Sequence, residues 1–113
     1  ELEDRRRHLD IEIISGQFEA ATGHSMQDLA SRCRDPALVQ GRIEFTAIAA
    51  GRYTCKVCEV AAVLSKHSGS VSRWLGLAAE RENRDPAFRS RLDEIDRSIS
   101  ENNLQCDNVT RGT

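Results

Sequence analysis

The chain has 113 residues, a net charge of −2, 39% hydrophobic residues and 30% charged residues. That is one domain's worth of chain, apolar enough to bury a core without disulfides or metal and too apolar to stay disordered. No run reaches the ~20 apolar residues of a membrane span, and no signal-peptide pattern is present, so reduced thiols in a cytoplasm are expected.

Aromatic residues are only 4%, and Ala, Leu, Arg and Glu outweigh β-branched residues, which favours helix over sheet. A first helix is expected over about Leu2–Thr22. Ile11, Ile14 and Phe18 recur on one face, and Gly23 follows as a stop. Ser25 caps a short helix carrying Met26, Leu29 and Ala30. Asp35-Pro36 pairs a capping side chain with a residue suited to a first helical turn. It opens the most apolar helix, through Leu38, Val39, Ile43, Phe45, Ile48 and Ala49 to Gly51. Gly41 inside it costs about 1 kcal/mol against Ala unless close packing or a ligand uses the missing side chain.

Thr54 is the expected cap of a helix over about Cys55–Leu64, with Val57, Val60, Ala61 and Leu64 inward. The polar break Ser65-Lys66-His67-Ser68 follows, and Ser68 is the expected cap of a helix with Val71, Leu75 and Ala78 inside. Asp85-Pro86 repeats the earlier device and opens the last helix, whose inner face is Phe88, Leu92, Ile95 and Ile99. The stretch after Ile99 is expected to fray, giving a helical domain over 1–104 and a flexible tail over 105–113. The chain opens on Glu1 rather than Met, as a piece of a longer protein would.

Charge is uneven. Between Arg42 and Arg73 stand five basic side chains, Arg42, Arg52, Lys56, Lys66 and Arg73, against two acids, Glu44 and Glu59. Acids gather towards both ends, Asp93, Glu94 and Asp96 reading as a solvated face. A basic centre suits a nucleic-acid surface. Cys55 to Glu80 reads as helix, short polar turn, helix, the helix-turn-helix pattern, whose second helix docks its N-terminal end in the major groove. Lys66, His67, Ser68, Ser70 and Arg73 occupy that end and are the expected base-reading residues. Lys56 is expected on phosphate.

In order and spacing the chain resembles the C-terminal DNA-binding domain of the bacterial replication initiator DnaA, with its Trp-repressor-like helix-turn-helix. Ile11, Ile14 and Phe18 resemble that family's first helix. Asp28-Leu29 with Ser31-Arg32 resembles its Asp-Leu-x-Ser-Lys stretch, Arg42 with Phe45 and Ile48 its Arg-Gln-x-Ala-Met-x-Leu helix, and Glu59-Val60 its Glu-Ile. The resemblance implies that Arg42 enters the minor groove and that Arg32 and Arg34 form a phosphate-contacting loop. In place of the family's Gly-Gly-Arg-Asp-His-Thr-Thr-Val stands Ser65-Lys66-His67-Ser68-Gly69-Ser70-Val71-Ser72-Arg73. That is closer to the Gly-Ile-Ser-x-x-x-Val-Ser-Arg type of turn, and to the DnaA-like domains found behind transposases that act on repeated extragenic palindromes. No phosphate-binding loop of the P-loop pattern occurs.

Cys55 and Cys58 form a CxxC without a second pair, and Cys33, Cys106 and the histidines show no metal-ligand spacing. No nucleophile, base and orienting acid stand at a recognisable spacing. Trp74 is expected to pack in the core or at a hinge, with stacking on a base as the alternative. The expectation is thus an all-α bundle of five or six helices, without cofactor, metal or catalysis, that binds double-stranded DNA. The alternative is a helical protein-interaction module that has lost DNA contact. Clustering of Arg32, Arg42, Lys66 and Arg73 on one face favours the first, dispersal the second.

Overall fold

The computed structural model describes residues 10–53 and 55–112, with side chains described to Glu101. The fold is all-α. Helices α1 (Ile11–Thr22), α2 (Met26–Leu29) and α3 (Pro36–Thr46) are followed by a π-helical segment, Ala47–Arg52. Then come α4 (Val57–Leu64), α5 (Ser68–Arg84) and α6 (Pro86–Gly112).

The caps follow from local chemistry. Gly23 closes α1 at φ 83°, where a Cβ would be strained, and its N–H donates to the Glu19 carbonyl at 2.8 Å. Ser25 Oγ accepts from the Gln27 and Asp28 N–H groups, Asp35 Oδ1 from Ala37 at 2.9 Å, and Asp85 Oδ1 from Ala87 at 3.1 Å.

All ten residues from Gly41 to Ala50 are buried, so this stretch is the axis around which the other helices pack rather than a one-sided surface helix. A Cβ at Gly41 would lie 3.0 Å from both His24 Cδ2 and Leu29 Cδ2. Close packing of α3 on the α1–α2 corner therefore accounts for this glycine. Helix α5 packs on α3, α4, the π segment and α6, while α1 lies on α6. Phe18 and Phe45 meet edge to face with centroids 5.3 Å apart, joining α1 to the axis.

Several boundaries differ from the expected ones. The central helix does not run evenly to Gly51, because its last turn widens and the Tyr53 N–H reaches the Ile48 carbonyl at 3.1 Å. Helix α4 starts at Val57, with the Lys56 N–H held by Glu59 Oε1 at 2.9 Å. Cys55 thus precedes the helix, and the expected Thr54 cap lies outside the described residues. His67, not Ser68, stands at the N-cap of α5. The last helix continues past the expected break at 104 to Gly112, since no glycine or proline interrupts the sequence before that point. Residues 1–9, the first part of the expected opening helix, lie outside the described residues, as does Thr113 at the end of the expected tail.

Candidate nucleic-acid interface

The site is built on the backbone between α2 and α3. Arg42, on α3, turns its guanidinium inward. Its Nε donates to the Leu29 carbonyl at 2.7 Å, and one terminal nitrogen donates to Ser31 and Cys33 carbonyls at 3.0 and 2.8 Å. Lys66, from the connection between α4 and α5, donates from Nζ to the Ala30 and Ser31 carbonyls at 3.2 and 2.7 Å. Two cations from different elements thus hold four successive or near-successive carbonyls of one loop. With those carbonyls drawn inward, the side chains of Arg32 and Arg34 are left exposed.

One expectation is corrected: Arg42 is only 4% exposed and its guanidinium is turned to the loop carbonyls, not extended towards a minor groove. Lys66 is half-buried, ties the α4–α5 connection to that loop and also lines the cleft. In both cases carbonyls close at hand hold the cation by charge-assisted hydrogen bonds. Burial lowers the pKa of the Lys66 ammonium, and the like charges of Arg42 and Arg32 lower it further.

The connection itself is short. Ser65 adopts the left-handed conformation at φ 54°, the one non-glycine residue to do so among the described residues. That lets the chain reverse between α4 and α5 in three residues. No side chain caps the N-terminus of α5, so its first N–H groups and the positive end of its dipole remain available to an anion. His67 and Ser68 are exposed beside it and Ser70 is half-buried.

Arg32, Arg34, Arg42, Lys66 and Arg73 line one cleft of about 540 Å³, together with Ser31, Val39 and Trp74. Among the described residues no acidic side chain lines it. Among the described residues none of these five cations is ion-paired with a carboxylate. Lys56 is not brought to this cleft. It stands at the opposite end of α4 from Lys66, about 12 Å away along an eight-residue helix. Sequence reasoning placed Trp74 in the core. The structure gives it two surroundings, since it packs partly against the core and also lines the cleft. Ser31 and Val39 line the cleft as well, although sequence reasoning assigned them no site role; their nearness to Arg32 and Arg42 is the one signal for it.

Other charges are committed elsewhere. Arg52, counted above with the basic centre, is held by Glu82 at 2.8 Å, Asp93 at 2.7 Å and Asp96 at 3.4 Å. Burial works to lower its pKa, but the bonds to Glu82 and Asp93 outweigh that and raise it. Asp93 and Asp96 are therefore not merely a solvated face. Cys55 is buried and Cys58 exposed. Burial, helped by Glu59 and Asp10, pushes the Cys55 thiol up to about 11, which disfavours the thiolate that metal binding or nucleophilic attack requires. Among the described residues no three His, Cys, Asp or Glu groups are placed to hold a metal ion. Nor is any helix there long and apolar enough to cross a membrane. No family model, no curated protein and no solved structure matches the chain.

Proposed function

We propose that the domain binds double-stranded DNA through the face formed by the α2–α3 loop, the α4–α5 connection and the first turns of α5. One observation carries this reading: five cations without carboxylate partners among the described residues converge on one cleft beside an uncapped helix N-terminus. Dispersal of the same residues would have favoured a protein-interaction module. Phosphates are the anions that such a face holds at several points at once. Arg32, Arg34 and Arg73 act on the backbone from outside, while His67, Ser68 and Ser70 stand where a helix entering the major groove meets base edges. Arg42 and Lys66 position the loop. The role is binding without catalysis, as the resemblance to DnaA-like domains implies, in replication initiation or beside a transposase in a bacterial cytoplasm.

The test is a salt titration of binding to a short labelled duplex. With about four phosphates neutralised, log affinity should fall by roughly 0.9 per contact for each decade of salt. Absence of binding at low salt, or affinity indifferent to salt, overturns the reading. Ser70→Ala then separates reading from holding. If Ser70 meets a base, the variant loses affinity for a preferred duplex and not for a scrambled one.

A further inference from the structure

A duplex presents a convex, rigid surface whose bases are stacked away from contact. It can rest on the rim of a cleft, where Arg32, Arg34 and Arg73 are exposed, but it leaves the interior unfilled. The interior here has a chemistry of its own. Its volume of about 540 Å³ falls within the roughly 300–1,000 Å³ of pockets that take small organic groups. Its wall contains the chain's single tryptophan, Trp74, next in sequence to the exposed Arg73 on α5, and the apolar side chain of Val39. Trp74 is half-buried, packing on the core on one side and meeting the cleft on the other.

A flat aromatic ring beside unpaired guanidinium groups matches a flat base attached to a phosphate. The cleft near α5's other half, about 290 Å³, offers no such combination. Its arginine, Arg52, is already held by Glu82.

From this juxtaposition we propose that the cleft receives one unstacked nucleotide of a DNA strand, at a duplex end or beside a single-stranded extension. The base lies against Trp74 and its phosphates on Arg32, Arg34 and Arg73. The inference rests on the nucleic-acid reading above and names the part of the nucleic acid that enters the site. A nucleotide within a strand suits it better than a free one. Successive phosphates of a strand supply an anion on either side of the base, which exposed arginines from the α2–α3 loop and from α5 can meet.

Because Trp74 is the only tryptophan, its emission reports on this cleft alone. The unaltered protein is titrated with a blunt duplex, the same duplex carrying a few unpaired thymidines, single-stranded oligothymidine, thymidine monophosphate and inorganic polyphosphate. Binding is followed separately by anisotropy or competition. The tailed duplex and the single strand should quench Trp74. The tailed duplex should bind about fivefold or more tighter than the blunt one, as expected for one stacked base. Trp74→Leu should lower the tailed affinity to that of the blunt duplex, and Trp74→Phe, which keeps a stacking ring, should retain part of the difference. Should Trp74→Leu not fold, the emission titration decides.

Equal affinity for tailed and blunt duplex with unchanged emission overturns this inference and leaves the duplex reading standing. Loss of blunt-duplex binding with quenching by the single strand does the reverse. Quenching by polyphosphate equal to that by oligothymidine overturns base stacking, and quenching by the monophosphate at the same concentration overturns assignment to a strand.

Discussion

The two halves of α5 use the same residue types to opposite ends. Towards its N-terminus, Arg73 joins Arg32, Arg34, Arg42 and Lys66 around a cleft without a carboxylate. Towards its C-terminus, Glu82 shares Arg52 with Asp93 and Asp96. There Arg81 reaches Gln40 at 2.7 Å and stacks over Phe88 at 4.3 Å, and Arg91 holds the buried Glu44 at 2.9 Å. In the first region cations meet carbonyl dipoles or solvent, so the field of their charge remains. In the second they meet carboxylates, so it is cancelled locally. An arginine count over sequence cannot separate these cases. The net charge of −2 conceals a cationic face because most acids are engaged or lie elsewhere.

The sharpest way to break this comparison is Arg42→Met. It removes three charge-assisted hydrogen bonds and takes that donor from the Leu29 and Cys33 carbonyls, while Ser31 keeps its bond from Lys66. A stability loss of about 3 kcal/mol is expected from denaturant midpoints. Arg42→Lys should recover only part of it, since one ammonium cannot reproduce a planar fork. A loss below about 1 kcal/mol would mean that the loop holds without its anchor.

Arg52→Met tests the paired region. Its carboxylate partners are partly exposed, so the expected loss is smaller, about 1–2 kcal/mol, and shrinks as salt screens the three carboxylates left facing one another. The same variant should leave the salt dependence of DNA binding unchanged. A change in that slope would place Arg52 on the binding face.

The double change Arg32→Ala and Arg34→Ala sharpens the contrast from the other side. Stability should stay within about 0.5 kcal/mol, both side chains being exposed. The salt slope of duplex binding should fall by about 0.9 for each phosphate contact removed. Undiminished slope would assign the phosphate contacts to other residues.

The smallest effect on DNA binding is expected at the connection between α4 and α5. Ser65 occupies a left-handed conformation that glycine adopts without a Cβ penalty, so Ser65→Gly should raise stability by up to about 1 kcal/mol. The rise should come without altered DNA preference, because the backbone path is kept. Destabilisation instead would show that the Ser65 side chain contributes contacts which outweigh the strain.

Much of the helical plan was legible from local rules. The Asp-Pro pairs, Gly23 and Ser25 mark helix ends by the hydrogen bonds they can or cannot make, and those marks need only a few neighbouring residues. The apolar spacing of Ile14 and Phe18, or of Leu92, Ile95 and Ile99, likewise states which face turns inward. The π turn after Thr46 was not legible, since no local residue pattern marks it; the segment packs against α4, α5 and α6. Nor was the difference between His67 and Ser68 as a cap, which turns on one backbone angle.

For the site, the structure gathers five of the expected residues, Arg32, Arg34, Arg42, Lys66 and Arg73, around one cleft. Arg32, Arg34 and Arg73 stand exposed around the cleft. Arg42 and Lys66 reach the same place but face inward, because the loop from Leu29 to Cys33 brings its carbonyls within their reach. Trp74 changed from a packing residue to a wall of the cleft for the corresponding reason: its surroundings come from α3 and the loop, tens of residues away. What the sequence determined by itself is helix formation, helix ends and inner faces, all governed by interactions spanning a few residues. Only the tertiary structure decided which cations are neutralised, which are anchors and which stay available, because a charge takes its role from partners that folding brings within a few ångströms.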